Sequence, residues 1–211
     1  FDNEKIVIRE IVNPRIFATY IKEKAVVKNI AAVIIEKDKN YSLKYLLALL
    51  NSNLMTYYIN EQSAKSSNKA YPSFNSKLIK NLPIKNITLE QQEPFIQKAD
   101  LMLELNKKLQ ELKQNFINEL NLEKVPTKLQ KFEELDFDDF VKEYAKAKKL
   151  KFADKLEERN FKNEWQRLFE NDKKEVLEIQ NQINITDKEI DQMIYKLYDL
   201  TPDEIKIIEG N

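Results

Sequence analysis

Residues 31–54 read AAVIIEKDKNYSLKYLLALLNSNL, and the fold turns on a change of period inside them. Ala31-Ala32-Val33-Ile34-Ile35 is apolar without interruption and short, as a strand inside a sheet is. From Ser42 onward Leu43, Leu46, Leu47, Leu50, Leu54 and Tyr57 recur at intervals of three and four, which places them on one face of a helix. Ser42 has the hydroxyl to cap that helix, and the period carries it to about Asn60. Upstream, Ile6-Val7-Ile8, then Ile16 to Tyr20, then Ala25 to Ile35 are rich in β-branched and aromatic residues and read as strands. Asn13-Pro14 separates the first two. Strands followed by a helix make a small α+β unit.

Downstream the chain becomes helical. Gln62 to Asn81, rich in Ser, Asn and Lys around Pro72, reads as an irregular loop leading to a short helical turn after Ser76, which Pro83 stops. Thr88 and Gln91 have capping-box spacing, so a long helix begins at Leu89, with Pro94 in or just past its first turn. Leu105, Leu109, Leu112 and Phe116 form its buried stripe. Beyond Pro126, Phe137, Phe140, Val141 and Tyr144 fit a helix capped by Asp136, with Lys146 to Lys151 at its C-terminal end. Trp165, Phe169, Val176, Ile179, Ile183, Ile190, Ile194 and Leu197 keep a near-heptad spacing. They predict a last long helix from about Asn163 that pairs with the helix containing Leu109. Thr201-Pro202-Asp203-Glu204 supplies a cap, a first-turn Pro and a box acid for a short helix through Ile208. The expected architecture is α+β and predominantly helical. A small α+β unit spans residues 1–86, and antiparallel helices in a coiled-coil-like support span residues 87–211.

Composition narrows the chemistry. The 211 residues include no Cys and no His, which removes disulfides, thiolate metal sites, the commonest general base and every Ser-His or Cys-His arrangement. The one Gly is Gly210, so neither a phosphate loop nor a dinucleotide fingerprint is present. A polar-Pro-Pro-aromatic tetrapeptide for holding a flipped adenine is also missing, Asn13-Pro14-Arg15 being the nearest text. Asp203-Glu204-Ile205-Lys206 matches a nuclease Asp/Glu-x-Lys set only in letters, because its acids are adjacent and suit a helix cap. Asp136, Asp138 and Asp139 lack the Gly and terminal Glu of a calcium loop. Trp165, Phe137 and Phe140 read as packing residues. No apolar run approaches a membrane span, and no signal-peptide pattern opens the chain, so a cytoplasmic location is expected. The start at Phe1-Asp2, without Met, reads as that of a segment cut from a longer protein.

The overall charge of zero conceals an asymmetry. Residues 1–85 carry 14 basic and 7 acidic side chains, and the remainder carries 21 basic and 28 acidic. No acid lies between Glu61 and Glu90, an interval that holds Lys65, Lys69, Lys77, Lys80 and Lys85. Such a surface attracts a polyanion, although a basic loop also serves solubility or balances acidic helices. In the same interval Tyr71 and Phe74 flank Pro72 beside Ser66, Ser67, Asn68, Ser73 and Asn75. Lys for phosphates with Asn and Ser for base edges is the mixture of a sequence-reading surface. Phe74 reads as a core anchor, and Tyr71 suits either purpose.

Leu49-Leu50-Asn51-Ser52-Asn53-Leu54-Met55 with Tyr57-Tyr58 opens a series of short motifs. It continues with Asn68-Lys69-Ala70-Tyr71-Pro72-Ser73-Phe74, Leu82-Pro83-Ile84 and Glu90-Gln91-Gln92 with Pro94-Phe95, and closes on Glu189 to Thr201. In this order, over nearly the whole chain, the segments resemble the C-terminal specificity domain of TaqI-like and type IIG restriction-modification enzymes. Asp199 stands where many relatives have Gly, and Tyr71 where many have Phe. The resemblance implies a target-recognition module appended to an adenine-N6 DNA methyltransferase, often with an endonuclease in the same polypeptide, that places the enzyme on double-stranded DNA. S-adenosylmethionine and, with a nuclease, Mg2+ would belong to those other parts; no cofactor, metal or catalytic residue is expected in this chain. The DNA-binding residues expected are Lys65, Lys69, Lys77 and Lys80 on phosphates, Ser67, Asn68, Tyr71 and Asn75 near bases, and Arg9 and Arg15 from the strands. The rival reading is a helical protein-protein interaction module that joins enzyme subunits. A hydrolase using unpaired carboxylates has nothing in the sequence to bring a particular pair together.

Overall fold

A computed structural model describes residues 4–9, 11–12, 14–24, 31–37, 39–66 and 76–210, with backbone alone at Ala31, 63–66 and 76–77. Its architecture is α+β and predominantly helical, as expected. Three short strands, β1 (Lys5–Arg9), β2 (Ala18–Ile21) and β3 (Ala31–Ile35), form an antiparallel sheet in the order β2-β1-β3. Register pairs Val7 with both Thr19 and Val33. Strand alternation turns Ile6 and Ile8 to one face, where both are fully buried, while Val7 is half-buried and Arg9 exposed on the other. The upstream part of the expected third strand, residues 25–30, lies outside the described residues.

The change of period at Ser42 produces helix, but in two pieces. Helix α1 (Leu43–Leu50) is capped by Ser42, whose hydroxyl accepts the Lys44 N–H at 3.2 Å. Helix α2 (Asn53–Ser66) starts afresh, where the sequence predicts one helix ending near Asn60. The break is made by side chains. The Ser52 hydroxyl donates to the Leu49 carbonyl at 2.7 Å and accepts the Met55 N–H at 3.2 Å, closing one helix and opening the next. Since α2 continues through Ser66, the loop expected from Gln62 begins later than the composition indicates. Helix α3 (Ser76–Lys80) is the short turn expected after Ser76.

Packing divides the chain into two compact units, Phe1–Leu103 with Ile185–Asn211, and Glu104–Asn184. Helices α4 (Leu89–Glu119) and α7 (Lys155–Leu197) supply residues to both. In the first unit Ile6, Ile8, Val12 and Ile16 share a core with Leu47, Leu49 and Leu50 of α1, Met55 and Ile59 of α2, Phe95 and Ala99 of α4, and Ile190 and Ile194 of α7. Each such large side chain contributes about 1.5–3 kcal/mol by leaving water. A buried amide completes the join. Gln92 accepts the Ser42 N–H at 2.9 Å and donates to the carbonyls of Asn40 and Ile87 at 2.7 and 3.1 Å.

The second unit is held by aromatic rings. Phe116 of α4 stacks on Phe132 of the 3-10 turn Phe132–Glu134, with ring centroids 3.9 Å apart, and meets Phe169 of α7 edge-on at 6.1 Å. Phe140 of α6 (Phe137–Lys148) stacks on Phe169 at 4.7 Å. Trp165 lies 4.8 Å from Tyr144, the packing role expected of it. The expected pairing of the helix containing Leu109 with the last long helix is therefore present. Short helix α5 (Thr127–Gln130) adds the fully buried Leu129.

Cap chemistry sets the helix ends. Thr88 and Gln91 make the box at the start of α4, and Asp136 accepts the Asp139 N–H at 2.8 Å to open α6. Thr201 and Glu204 make the reciprocal box of α8 (Pro202–Glu209), so Glu204 is taken up by a cap. Helix α7 begins at Lys155, about two turns before the expected Asn163, because Asp154 accepts the N–H groups of Leu156 and Glu157. After α7, Asp199 adopts φ of 56°, the left-handed conformation that favours Gly and tolerates Asp.

Candidate nucleic-acid interface

The β1–β2 connection brings an arginine and exposed apolar groups to one end of the sheet. The Arg9 guanidinium stands 5.7 Å from the centre of the Phe17 ring, and the Arg9 N–H donates to the Phe17 carbonyl at 2.9 Å. Phe17 and Ile11 stay 45 % and 47 % exposed, a large apolar presence for such a short hairpin. A cation on a ring that faces water is suited to a phosphate and a neighbouring base or sugar together. Sequence reasoning singled out Arg9 and missed Phe17. The signal was the alternation Ile16-Phe17-Ala18, in which Ile16 is buried and Phe17 faces outward.

Arg15 is used differently. Its guanidinium donates to both oxygens of Asp187 on α7, at 2.6 and 3.1 Å, and to the Asn51 carbonyl. Three acceptors from distant parts of the chain make it a structural clamp. The neighbouring motif has the same character. The Asn51 side chain donates to the Ala18 carbonyl at 3.0 Å and accepts the Ala18 N–H at 2.8 Å, so its amide pairs with the free edge of β2 as a strand would. The Thr56 hydroxyl accepts the Ile16 N–H at 3.2 Å. Asn53 binds Asp191 through its backbone N–H at 2.9 Å and its side-chain amide at 2.8 Å. Burial pushes the Asp191 carboxyl up to about 6, against the opposing Asn53 hydrogen bond, with Asp187 raising it further and Arg15 lowering it.

The segment leading out of the basic region is fixed from α7 as well. The Tyr198 hydroxyl donates to the Pro83 carbonyl at 2.6 Å and accepts the Lys85 N–H at 3.2 Å. The Lys85 ammonium donates to the Leu197 carbonyl and to Asp199 at 2.9 Å. Lys80 is exposed at the end of α3. Lys65 and Lys77 have helical backbones in α2 and α3, and their side chains lie outside the described residues, as do Ser67, Asn68, Lys69, Tyr71 and Asn75 entirely. Among the described residues no group of three or more acidic side chains could hold a metal ion, and no helix is long and apolar enough to cross a membrane.

Residues 88–194, half of the chain, match the family model described as a domain of unknown function (DUF8810). The chain belongs to that family. Residues 1–84 match the model of the TaqI-like C-terminal specificity domain and constitute such a domain. The specificity domain thus contains the sheet, α1, α2 and α3 with the Asn51-Ser52-Asn53 joint, whereas the motifs quoted from Glu90 onward fall outside its match. No curated protein and no solved structure matches the chain. A specificity domain of this type ties the chain to DNA sequence recognition in restriction-modification.

Proposed function

We propose that this chain is the target-reading part of a restriction-modification enzyme, that its specificity domain faces double-stranded DNA, and that an adenine-N6 methyltransferase, with or without an endonuclease, lies elsewhere in the same protein. The observation that carries the reading is the coincidence of the specificity-domain match at residues 1–84 with the basic part of the chain. Arg9 with Phe17, Lys65, Lys69, Lys77 and Lys80 contact the backbone, and Ser67, Asn68, Tyr71 and Asn75 approach bases. Arg15 leaves the contact set, because its guanidinium is committed to Asp187 and Asn51. The residues of this chain do not fit S-adenosylmethionine, since the single glycine, Gly210, closes α8 with φ of 76° and builds no loop around a ligand. On this reading methyl transfer, and any Mg2+-dependent cleavage, belong to other domains of the protein.

Binding that neutralises phosphates weakens with salt by a slope of about 0.9 per contact. Lys65→Ala with Lys69→Ala lowers that slope by about 2 in a salt titration against duplex DNA; an unaltered slope refutes the assignment. Sedimentation with and without DNA tests the rival, which requires self-association indifferent to DNA.

A further inference from the structure

The turn between α6 and α7 carries a second basic surface, inside the half of the chain that is acidic overall. Between Glu143 and Asp154 there is no acid, while Lys146, Lys148, Lys149 and Lys151 fall there and Lys155 follows at once. Elsewhere in this unit several lysines are ion-paired, Lys113 by Glu133 at 2.5 Å, Lys128 by Glu143 at 2.6 Å, Lys142 by Asp139 at 3.0 Å, and Lys162 by Asp138 and Glu158 at 3.1 and 3.3 Å, while unpaired ones such as Lys108 and Lys124 do not form a run. Lys148 has a structural task, donating to the Leu120 and Asn121 carbonyls at the end of α4. No ion pair among the described residues includes Lys146, Lys149, Lys151 or Lys155. Lys149, Lys151 and Lys155 are exposed.

Backbone geometry adds an independent observation. Lys149 closes α6 in the left-handed conformation, φ 58° and ψ 35°. That position favours glycine and tolerates Asn or Asp, the types found at Asn121 and Asp199. A lysine there carries backbone strain, and its exposed side chain gains from the C-terminal end of the helix but from no packing contact.

We propose that the α6–α7 turn is a sequence-blind contact for a nucleic-acid backbone, with Lys146, Lys149, Lys151 and Lys155 placed to neutralise phosphates. The choice of duplex DNA as the polyanion rests on the recognition function proposed above. The turn supplies charge without the Asn, Gln or Arg side chains that pair bidentately with base edges, so it raises affinity for every duplex equally.

The test uses the full chain, a long random-sequence duplex and a salt titration followed by fluorescence anisotropy. The combined variant Lys146→Gln, Lys149→Gln and Lys151→Gln lowers the salt slope by about 2–3. It weakens binding to random and preferred duplexes by the same factor, the preferred ones being selected from a randomised pool. Wild-type binding with a slope that the triple variant leaves intact overturns the proposal while the recognition reading stands. A flattened slope in a chain that shows no sequence preference upholds the turn and removes the recognition reading. Binding to no duplex at all overturns both. Lys149→Gly separates the structural role from the binding role: relief of the left-handed residue raises Tm by about 2–4 °C while affinity falls. A Lys149→Gly chain with unchanged affinity refutes the contact at this residue.

Discussion

Asn53 and Asp191, separated by 138 positions in sequence, are joined by two hydrogen bonds of 2.9 and 2.8 Å that tie the first residue of α2 to the last long helix. Burial of the Asp191 carboxyl makes stability depend on pH in a definite sense. With a folded pKa of about 6 against an ordinary 3.8, Asp191 holds its proton longer in the folded chain than in the unfolded one. Its contribution is complete below about pH 4 and is lost as pH rises through 6, on the order of 3 kcal/mol. Asp191→Asn removes this slope, and the difference between the two chains in urea unfolding from pH 4 to 7 isolates it. Parallel curves would show that Asp191 does not titrate in that window.

Arg9 and Arg15 lie on the same hairpin and divide the work between them. Arg15→Gln breaks the clamp to Asp187 and the Asn51 carbonyl, lowering stability by about 1–3 kcal/mol and leaving the salt slope of DNA binding unaltered. Arg9→Gln does the reverse, with unfolding within about 0.5 kcal/mol of wild type and a slope smaller by about 0.9. Urea curves and salt titrations on both variants check the division.

Asn51→Ala strips the edge of β2 of its partner. Both the N–H and the carbonyl of Ala18 lose a hydrogen bond in a partly buried place, for about 2 kcal/mol. Hydrogen exchange at Ala18 rises with the loss, whereas exchange in the second unit stays as in wild type.

The second unit has its own reporter, since Trp165 is the only tryptophan. Phe140→Ala removes a ring that stacks on Phe169 at 4.7 Å and lies 5.7 Å from Trp165. The cost is about 3–5 kcal/mol. Trp165 emission shifts to the red, and the fluorescence-detected urea midpoint falls.

Asp199→Gly exchanges an exposed ion pair for a relaxed backbone. The carboxylate of Asp199 is 84 % exposed, so its pairing with Lys85 contributes little, and relief of the left-handed residue stabilises the chain by about 0.5–1 kcal/mol. A rise in Tm is the expected reading.

Local chemistry made much of this fold legible. Ser42, the Thr88 and Gln91 pair, Asp136 and the Thr201–Glu204 box each satisfy backbone groups within a few residues, so their sequence is their geometry. The same holds for the buried stripe through Phe116, whose period needs only one helix to be read. Asp154 and Glu157 carried a comparable signal for the start of α7, one that the heptad pattern further along obscured.

Other features exist only in the assembled chain. Leucines at helical spacing run unbroken past Asn51 and Ser52; Ser52 closes and reopens the helix locally, but only the assembled chain holds the joint in place, through capture of the Asn51 amide by β2 and of Asn53 by α7. Arg15 and Arg9 are equivalent in sequence, both basic residues on a strand-rich segment. Asp187 lies 172 positions from Arg15, and nothing short-range announces that it will take up that guanidinium. The sequence by itself determined where charge accumulates and where helices are capped, since both follow from neighbouring residues. Tertiary structure decided which cations are spent holding the protein together, because a charge is neutralised by whatever the fold brings within about 3 Å of it.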